Sequence, residues 1–217
     1  MIWKSRCRKL FDNQDWHPVN LIYEVFRYIK LYNLDRNPLV TRPVPHSTIW
    51  LPPPHDHWKI NFDASYVINN HQAGIGLVLR DFLGMCRGVR MILARLQSSE
   101  EAEAKAALEA VKWGISLQLQ KIHIEGDAQI IINYLTTTTN SSIGWRSKAH
   151  LDEARSLFGN YQSIFFFYVP RLVNSVADAL ASMARTSTSE CSLTEVPSFI
   201  FDVLNSDSAT IRALPTA

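Results

Sequence analysis

A mixed α/β domain, a five-stranded sheet with helices packed on it, is the fold class this sequence predicts, and three observations predict it. Three strand-like runs follow one another with only short turns between them. A dense alanine-rich helix comes next. Helices then alternate with two further apolar runs, so the element order reads βββαβααβα.

The first strand is WKINFDASYV, Trp58 to Val67. A side-chain period of two sends Ile60, Phe62 and Ala64 to one face and Asn61, Asp63 and Ser65 to the other, so one face is core and the other presents a carboxylate. Aspartate is depleted in strands because its short charged side chain packs badly and competes for backbone hydrogen bonds. Asp63 is therefore either a solvated residue of an edge strand or held there for a purpose. AGIGLVLRD (73–81) and MCRGVRMILA (85–94) read as the second and third strands, with DFLG as the turn between them. SSEEAEAKAALEAVKWGISL (98–117) is a helix: serines cap it, early acids suit its positive end, and alanine fills it. KIHIEG is the fourth strand, DAQIIINYL a short helix, and GWRSKAHLDEARSLFGNY a longer one. SIFFFYVP is the fifth strand, and NSVADALASMA the last helix.

At 217 residues, 47% hydrophobic and 19% charged, the chain has the composition of a globular protein with one core and appendages. A net charge of +2 is compatible with a polyanionic partner without requiring one. Cys7, Cys86 and Cys191 are odd in number and lack metal-type spacing, which predicts a reducing, intracellular compartment, nucleus or cytoplasm, with neither a disulfide framework nor structural zinc. No apolar run is long enough for a signal peptide or a membrane span, so no membrane partner is expected.

Four segments follow. Residues 1–41 form a helical extension, with Leu21, Ile22, Val25, Phe26, Ile29 and Tyr32 at amphipathic spacing. Residues 42–57 form a proline-rich linker, 58–185 the compact domain, and 186–217 a Ser/Thr-rich tail expected to be loosely ordered, in which PSFIFDVL can dock as a short element.

Three more carboxylates stand out, each with an ordinary explanation available. Glu103 lies early in the alanine-rich helix with no basic residue at three- or four-residue spacing, yet a helix-dipole role would account for it. Asp127 closes the fourth strand, where it can cap the next helix or serve a site at the strand's end. Asp178 can pair with Ser175 in a capping box, or face away from the core stripe Val176, Leu180 and Met183. The ordinary explanations do not account for the set: a mid-strand Asp, a helix Glu, a strand-end Asp and a last-helix Asp within one sheet-and-helix unit.

Together WKINFDAS, AGIGLVLRD, EAEAKAALEA, IHIEGDAQIIINYL and YVPRLVNSVADALASMA resemble the ribonuclease H family, and most closely the ribonuclease H-like domains of plant retroelement-type reverse transcriptase proteins. The resemblance spans Trp58 to Arg185. It implies the strand order 3-2-1-4-5 and an acidic active site of Asp63, Glu103, Asp127 and Asp178. It also implies a metal-dependent endonuclease cutting the RNA strand of RNA–DNA hybrids. Clustered carboxylates repel one another unless cations neutralise them, and hard oxygen ligands favour Mg²⁺, with Mn²⁺ an alternative. Two ions are expected, Asp63 bridging them, with Glu103 and Asp127 on one side and Asp178 on the other. Asn174, Arg171 and Ser65 are the candidates for contact with the nucleic acid. A lost or separate reverse transcriptase domain is an expected partner. The sequence departs from the family at Ala64, where Gly is common, and at Ala128, where Ser is frequent, and none of its histidines lies beyond His150. A catalytically weak or inactive nucleic-acid-binding domain of retroelement origin is the alternative reading.

Overall fold

The computed structural model describes residues 49–137, 142–187, 191–193 and 196–212. The amphipathic helix expected within residues 1–41, and the start of the linker, lie outside them. The elements are β1 (Trp58–Val67), β2 (Gln72–Arg80), β3 (Cys86–Arg95), α1 (Ser99–Ser116), β4 (Lys121–Gly126), α2 (Gln129–Thr136), α3 (Trp145–Ser156), β5 (Ser163–Tyr168), α4 (Ser175–Thr186), β6 (Cys191–Leu193) and α5 (Phe201–Arg212). No helix among the described residues is long and apolar enough to cross a membrane.

The sheet runs β5-β4-β1-β2-β3-β6. β1, β2 and β3 form an antiparallel meander, β4 and β5 join β1 in parallel, and β6 pairs antiparallel with β3. The five expected strands thus stand in the expected order, and a sixth is added from the tail. The tail carries more order than its Ser/Thr-rich composition suggested, through the PSFIFDVL segment that was expected to dock. Ile200 is fully buried beside Val176, Leu180 and Ala184, with Val196, Val203 and Leu204 packed around it. Its few apolar residues are spaced to fall on one face, which outweighs the surrounding serines and threonines.

Two layers of helices sandwich the sheet. Ile60, Phe62, Ile75, Leu77 and Leu79 pack with α1 and α2, while Val78, Val89 and Met91 of the opposite parity pack with α4. α1 comes close because Ala102, Ala104, Ala106, Ala107 and Ala110 are all fully buried. The start of α1 is closed by Ser98, whose hydroxyl accepts from the Glu101 amide at 3.1 Å, while Glu101 Oε2 accepts from the Gln97 amide at 2.8 Å.

On the other face α4 approaches β2 more closely still. A methyl group on Gly76 would lie 2.4 Å from the Ala177 carbonyl oxygen, and one on Gly74 2.2 Å from that of Ala181. Only glycine permits this contact, and register places Gly76 opposite Asp63. The two glycines therefore set the height of α4 above the mid-strand aspartate.

The face of β1 that carries Asp63 is not solvated, as an edge strand would be. Lys59 and Asn61 on that face are 1% exposed and Asp63 is 4% exposed. Lys59 Nζ pairs with Glu125 Oε1 at 2.6 Å, and Asn61 Nδ2 donates to Glu125 Oε2 at 3.1 Å. Trp50, from the middle of the proline-rich linker, donates its indole N–H to Asn61 Oδ1 at 3.0 Å and is itself buried. Burial pulls the Lys59 pKa down, against the pull of Glu125.

Candidate active site

Three of the four singled-out carboxylates converge. Ligand oxygens of Asp63, Glu103 and Asp127 lie within 4.8 Å of one another. Asp63 comes from β1, Glu103 from the second turn of α1, and Asp127 from the residue after β4. The parallel pairing of β1 with β4 brings the two strand-borne acids, Asp63 and Asp127, to one end of the sheet. Glu103 reaches that end by accepting a hydrogen bond from the Ala64 amide, next to Asp63.

The ordinary explanations for these acids are not the ones realised. α2 begins at Gln129, and its N-cap is Ala128, which has no side chain able to cap; the Asp127 carboxylate is directed to Asp63 instead. On α1, Ser98 and Glu101 close the helix start, and Lys105 pairs with Glu109 at 2.8 Å. Glu103 takes part in none of this, and its buried Oε2 has no hydrogen-bond partner among the described residues. The Ser175–Asp178 capping box does not form. Asn174 occupies the N-cap position of α4, without a side-chain cap bond, and Asp178 pairs with Arg171.

Electrostatically the cluster is strained. Burial, then Glu103, Asp127 and Asp178, push the Asp63 pKa up to about 9. Burial, then Asp127, push that of Glu103 up to about 8, with the Ala64 amide and Arg171 pulling the other way. Crowded carboxylates with an orphaned buried oxygen are a donor set suited to a hard divalent cation, which would accept all three oxygens and remove their repulsion.

Asp178 stands outside the 4.8 Å cluster, although its charge acts on both Asp63 and Glu103. Arg171 Nη2 donates to its Oδ1 at 2.8 Å. Asn174 is 1% exposed, and its amide is committed to the protein: Nδ2 donates to the Phe62 carbonyl at 2.8 Å, and Oδ1 accepts from Asn61 at 3.4 Å. These bonds make Asn174, one of the residues expected to contact nucleic acid, a buried clasp between α4 and β1. Ser65 is half-buried on the Asp63 face of β1, opposite Gly74. Among the strand arginines, Arg80 pairs with Asp207 at 2.7 Å and Arg87 with Asp81 at 2.7 Å.

Sequence reading missed the buried layer of Lys59, Asn61, Glu125 and Trp50. The period of two already placed Lys59 and Asn61 in line with Asp63, which was the available signal. Nothing in the sequence showed that Trp50 would close over them.

A mixed sheet in this order, with helices on both faces and acids at the shared end of β1 and β4, defines a ribonuclease H-fold domain. The chain belongs to the reverse transcriptase-like family, whose sequence profile matches residues 61–184. Among solved structures it is similar to ribonuclease H1 of the halophilic archaeon Halobacterium salinarum NRC-1, with a TM-score of 0.55 and 24% identity over 59% of this chain and 96% of that one. It is also similar to LC11-RNase H1, isolated from compost and solved in complex with an RNA/DNA hybrid, with a TM-score of 0.52 and 18% identity over 59% and 96% of the two chains. The foamy viral protease-reverse transcriptase in complex with an RNA/DNA hybrid matches with a TM-score of 0.50 and 16% identity over 67% of this chain and 21% of that one. At these identities the likeness establishes the fold. No curated protein is significantly similar in sequence.

Proposed function

We propose that the chain is a metal-dependent endonuclease that hydrolyses the RNA strand of RNA–DNA hybrids. The observation that carries this reading is the convergence of Asp63, Glu103 and Asp127 with none of them spent on a cap or an ion pair. Hybrid as the substrate class is supported by the hybrid complexes of LC11-RNase H1 and the foamy viral enzyme, which share the fold.

In this reading Asp63, Glu103 and Asp127 hold divalent cations, Mg²⁺ or Mn²⁺, with Asp178 as the fourth ligand. When bound, a pair of such ions supplies Lewis-acid polarisation of the scissile phosphate and a water of lowered pKa. Asp63 is the central ligand because it is the most deeply buried of the four and is fixed on a strand between two others. Glu103 offers its orphaned Oε2 while its other contact, to the Ala64 amide, keeps the side chain aimed at Asp63. Arg171, 77% exposed at the mouth, supplies a cation for backbone phosphate, and Ser65 lies on the same face of the sheet. The products are a 5′ phosphate and a 3′ hydroxyl.

The deciding measurement is cleavage of a hybrid labelled on its RNA strand, with Mg²⁺ or with chelator. Metal-dependent cutting that is lost in Asp63→Asn is the expected result. A native chain that shifts hybrid on a gel yet leaves it intact at every Mg²⁺ and Mn²⁺ concentration supports the second reading, a non-catalytic nucleic-acid-binding domain. The position of Asp178, paired with Arg171 and outside the cluster, is the observation in favour of that second reading.

A further inference from the structure

Among the tryptophans of the described residues, Trp50 and Trp113 are buried and Trp58 is half-buried, while Trp145 is 72% exposed. An indole left in water forgoes one of the largest burial gains open to any side chain, so packing within the described fold does not account for Trp145. It is nevertheless firmly mounted. Trp145 is the first residue of α3, and Glu100 Oε1 accepts from the Gly144 amide at 2.9 Å and from the Ser147 hydroxyl at 2.6 Å. The chain on both sides of Trp145 is thereby tied to α1, less than one turn before Glu103. Glu100 also fills the amide end of α3, so the helix start is not itself an anion site.

The surroundings of the indole are cationic. The Arg146 guanidinium lies over the ring, 4.3 Å from its centroid, and covers one face. Lys148 and Ala149, three and four residues on, share the helix face of Trp145, and both are exposed. Among the described residues no carboxylate pairs with Arg146 or Lys148. Asp152, further along that face, is engaged by the Tyr134 hydroxyl at 2.5 Å. An exposed ring backed by a guanidinium, with an uncommitted ammonium beside it, offers stacking to a base and a cation to its phosphate. A base inside a duplex is already stacked on both faces. The surface therefore suits a base that has no pairing partner.

We propose that Trp145, with Arg146 and Lys148, is a stacking site for an unpaired nucleobase, separate from the acidic cluster, and that the chain thereby prefers hybrids bearing a single-stranded tail. This rests on the nucleic-acid-binding reading of the chain and not on cleavage at the cluster.

The test is fluorescence anisotropy of labelled duplexes in chelator: a blunt RNA–DNA hybrid, the same hybrid with single-stranded DNA tails, and one whose tails are abasic. The native chain is expected to bind the tailed hybrid about tenfold more tightly than the blunt one, and the abasic-tailed hybrid close to the blunt one. Trp145→Ala is expected to lose that gain, Trp145→Phe, which keeps a ring, to retain part of it, and Asp63→Asn to retain all of it. Thermal melting checks that the variants are folded. Equal affinity of the native chain for tailed and blunt hybrids, a gain that survives abasic tails, or a native tail preference in Trp145→Ala each overturns the stacking site. A preference lost in Asp63→Asn puts the tail at the acids and overturns it as well. Failure of the native chain to cut hybrid in Mg²⁺ leaves these affinities unchanged and counts against the nuclease reading alone, whereas failure to bind any of the duplexes removes the nucleic-acid reading and the stacking site with it.

Discussion

The Asn174 side chain donates to the Phe62 carbonyl at 2.8 Å, so the first turn of α4 is fastened to the strand residue immediately before Asp63. Two acids 115 positions apart in the chain thereby share one frame. Asn174→Ala leaves the Phe62 carbonyl and Asn61 short of a buried partner, and is expected to cost about 1–3 kcal/mol. Urea unfolding measures it. A loss below a few tenths of a kcal/mol would show that the clasp is not what holds α4.

Gly76 is the companion contact, from packing in place of hydrogen bonding. Gly76→Ala pushes a methyl group into the α4 backbone, and overpacking of this kind costs about 1–3 kcal/mol. Since Asp178 rides on α4, metal-dependent cleavage should fall along with stability. Full activity in a folded Gly76→Ala variant would mean that the height of α4 is not critical to the site.

Ala128 leaves α2 without a side-chain cap. Ser at this position can accept from the first-turn amides, and Ala128→Ser is expected to stabilise the protein by about 1 kcal/mol with Asp127 undisturbed. Thermal melting and a cleavage assay on the same preparation check both halves of the expectation.

The acidic cluster gives a pH dependence whose sign is set by the raised pKa values of Asp63, about 9, and Glu103, about 8. Between their ordinary values and these, the folded chain holds protons that the unfolded chain has released. Their contribution to stability is therefore present at acid pH and lost as pH rises through about 8 to 9, the two titrating as a pair. In chelator, the melting temperature should fall from pH 5.5 to pH 9. Mg²⁺ should restore it at the alkaline end, and Asp63→Asn should flatten the slope. A flat profile for the metal-free native chain would contradict the clustering.

Asp207 faces Arg80 at 2.7 Å, with the two side chains only 12% and 1% exposed. Asp207→Ala strands a buried guanidinium and is expected to cost about 3–5 kcal/mol, while Asp207→Asn, which keeps an acceptor, should cost less. Denaturant unfolding of the two variants gives the comparison. Equal and negligible losses would show that the tail is not anchored through this pair.

The fold and three members of the site were legible because both rest on local pattern. Alternation gave β1 to β3, the alanine density of α1 announced a close approach, and the acids were conspicuous at Asp63 and Glu103 for lacking a local reason. What escaped depends on long-range partners. The burial of Asn174 appears only once α4 is laid against β1, and the pairing of Asp178 with Arg171 only once the turn before α4 is folded. In the tail the docking of PSFIFDVL was legible from its apolar residues, whereas β6 and the anchor at Asp207 depend on β3 and Arg80 being beside them.

Arg80 lies between two segments that flank the family match at residues 61–184. Its guanidinium stacks 4.1 Å from the ring of Trp50 on one side and meets Asp207 on the other. The unit that folds is thus larger than the unit that the family shares. A piece cut at the family borders keeps the arginine and discards both of its partners, leaving a solvent-starved charge in the middle of the sheet. A graft of this domain into another chain is therefore expected to keep its fold only when the short flanks bearing Trp50 and Asp207 travel with it.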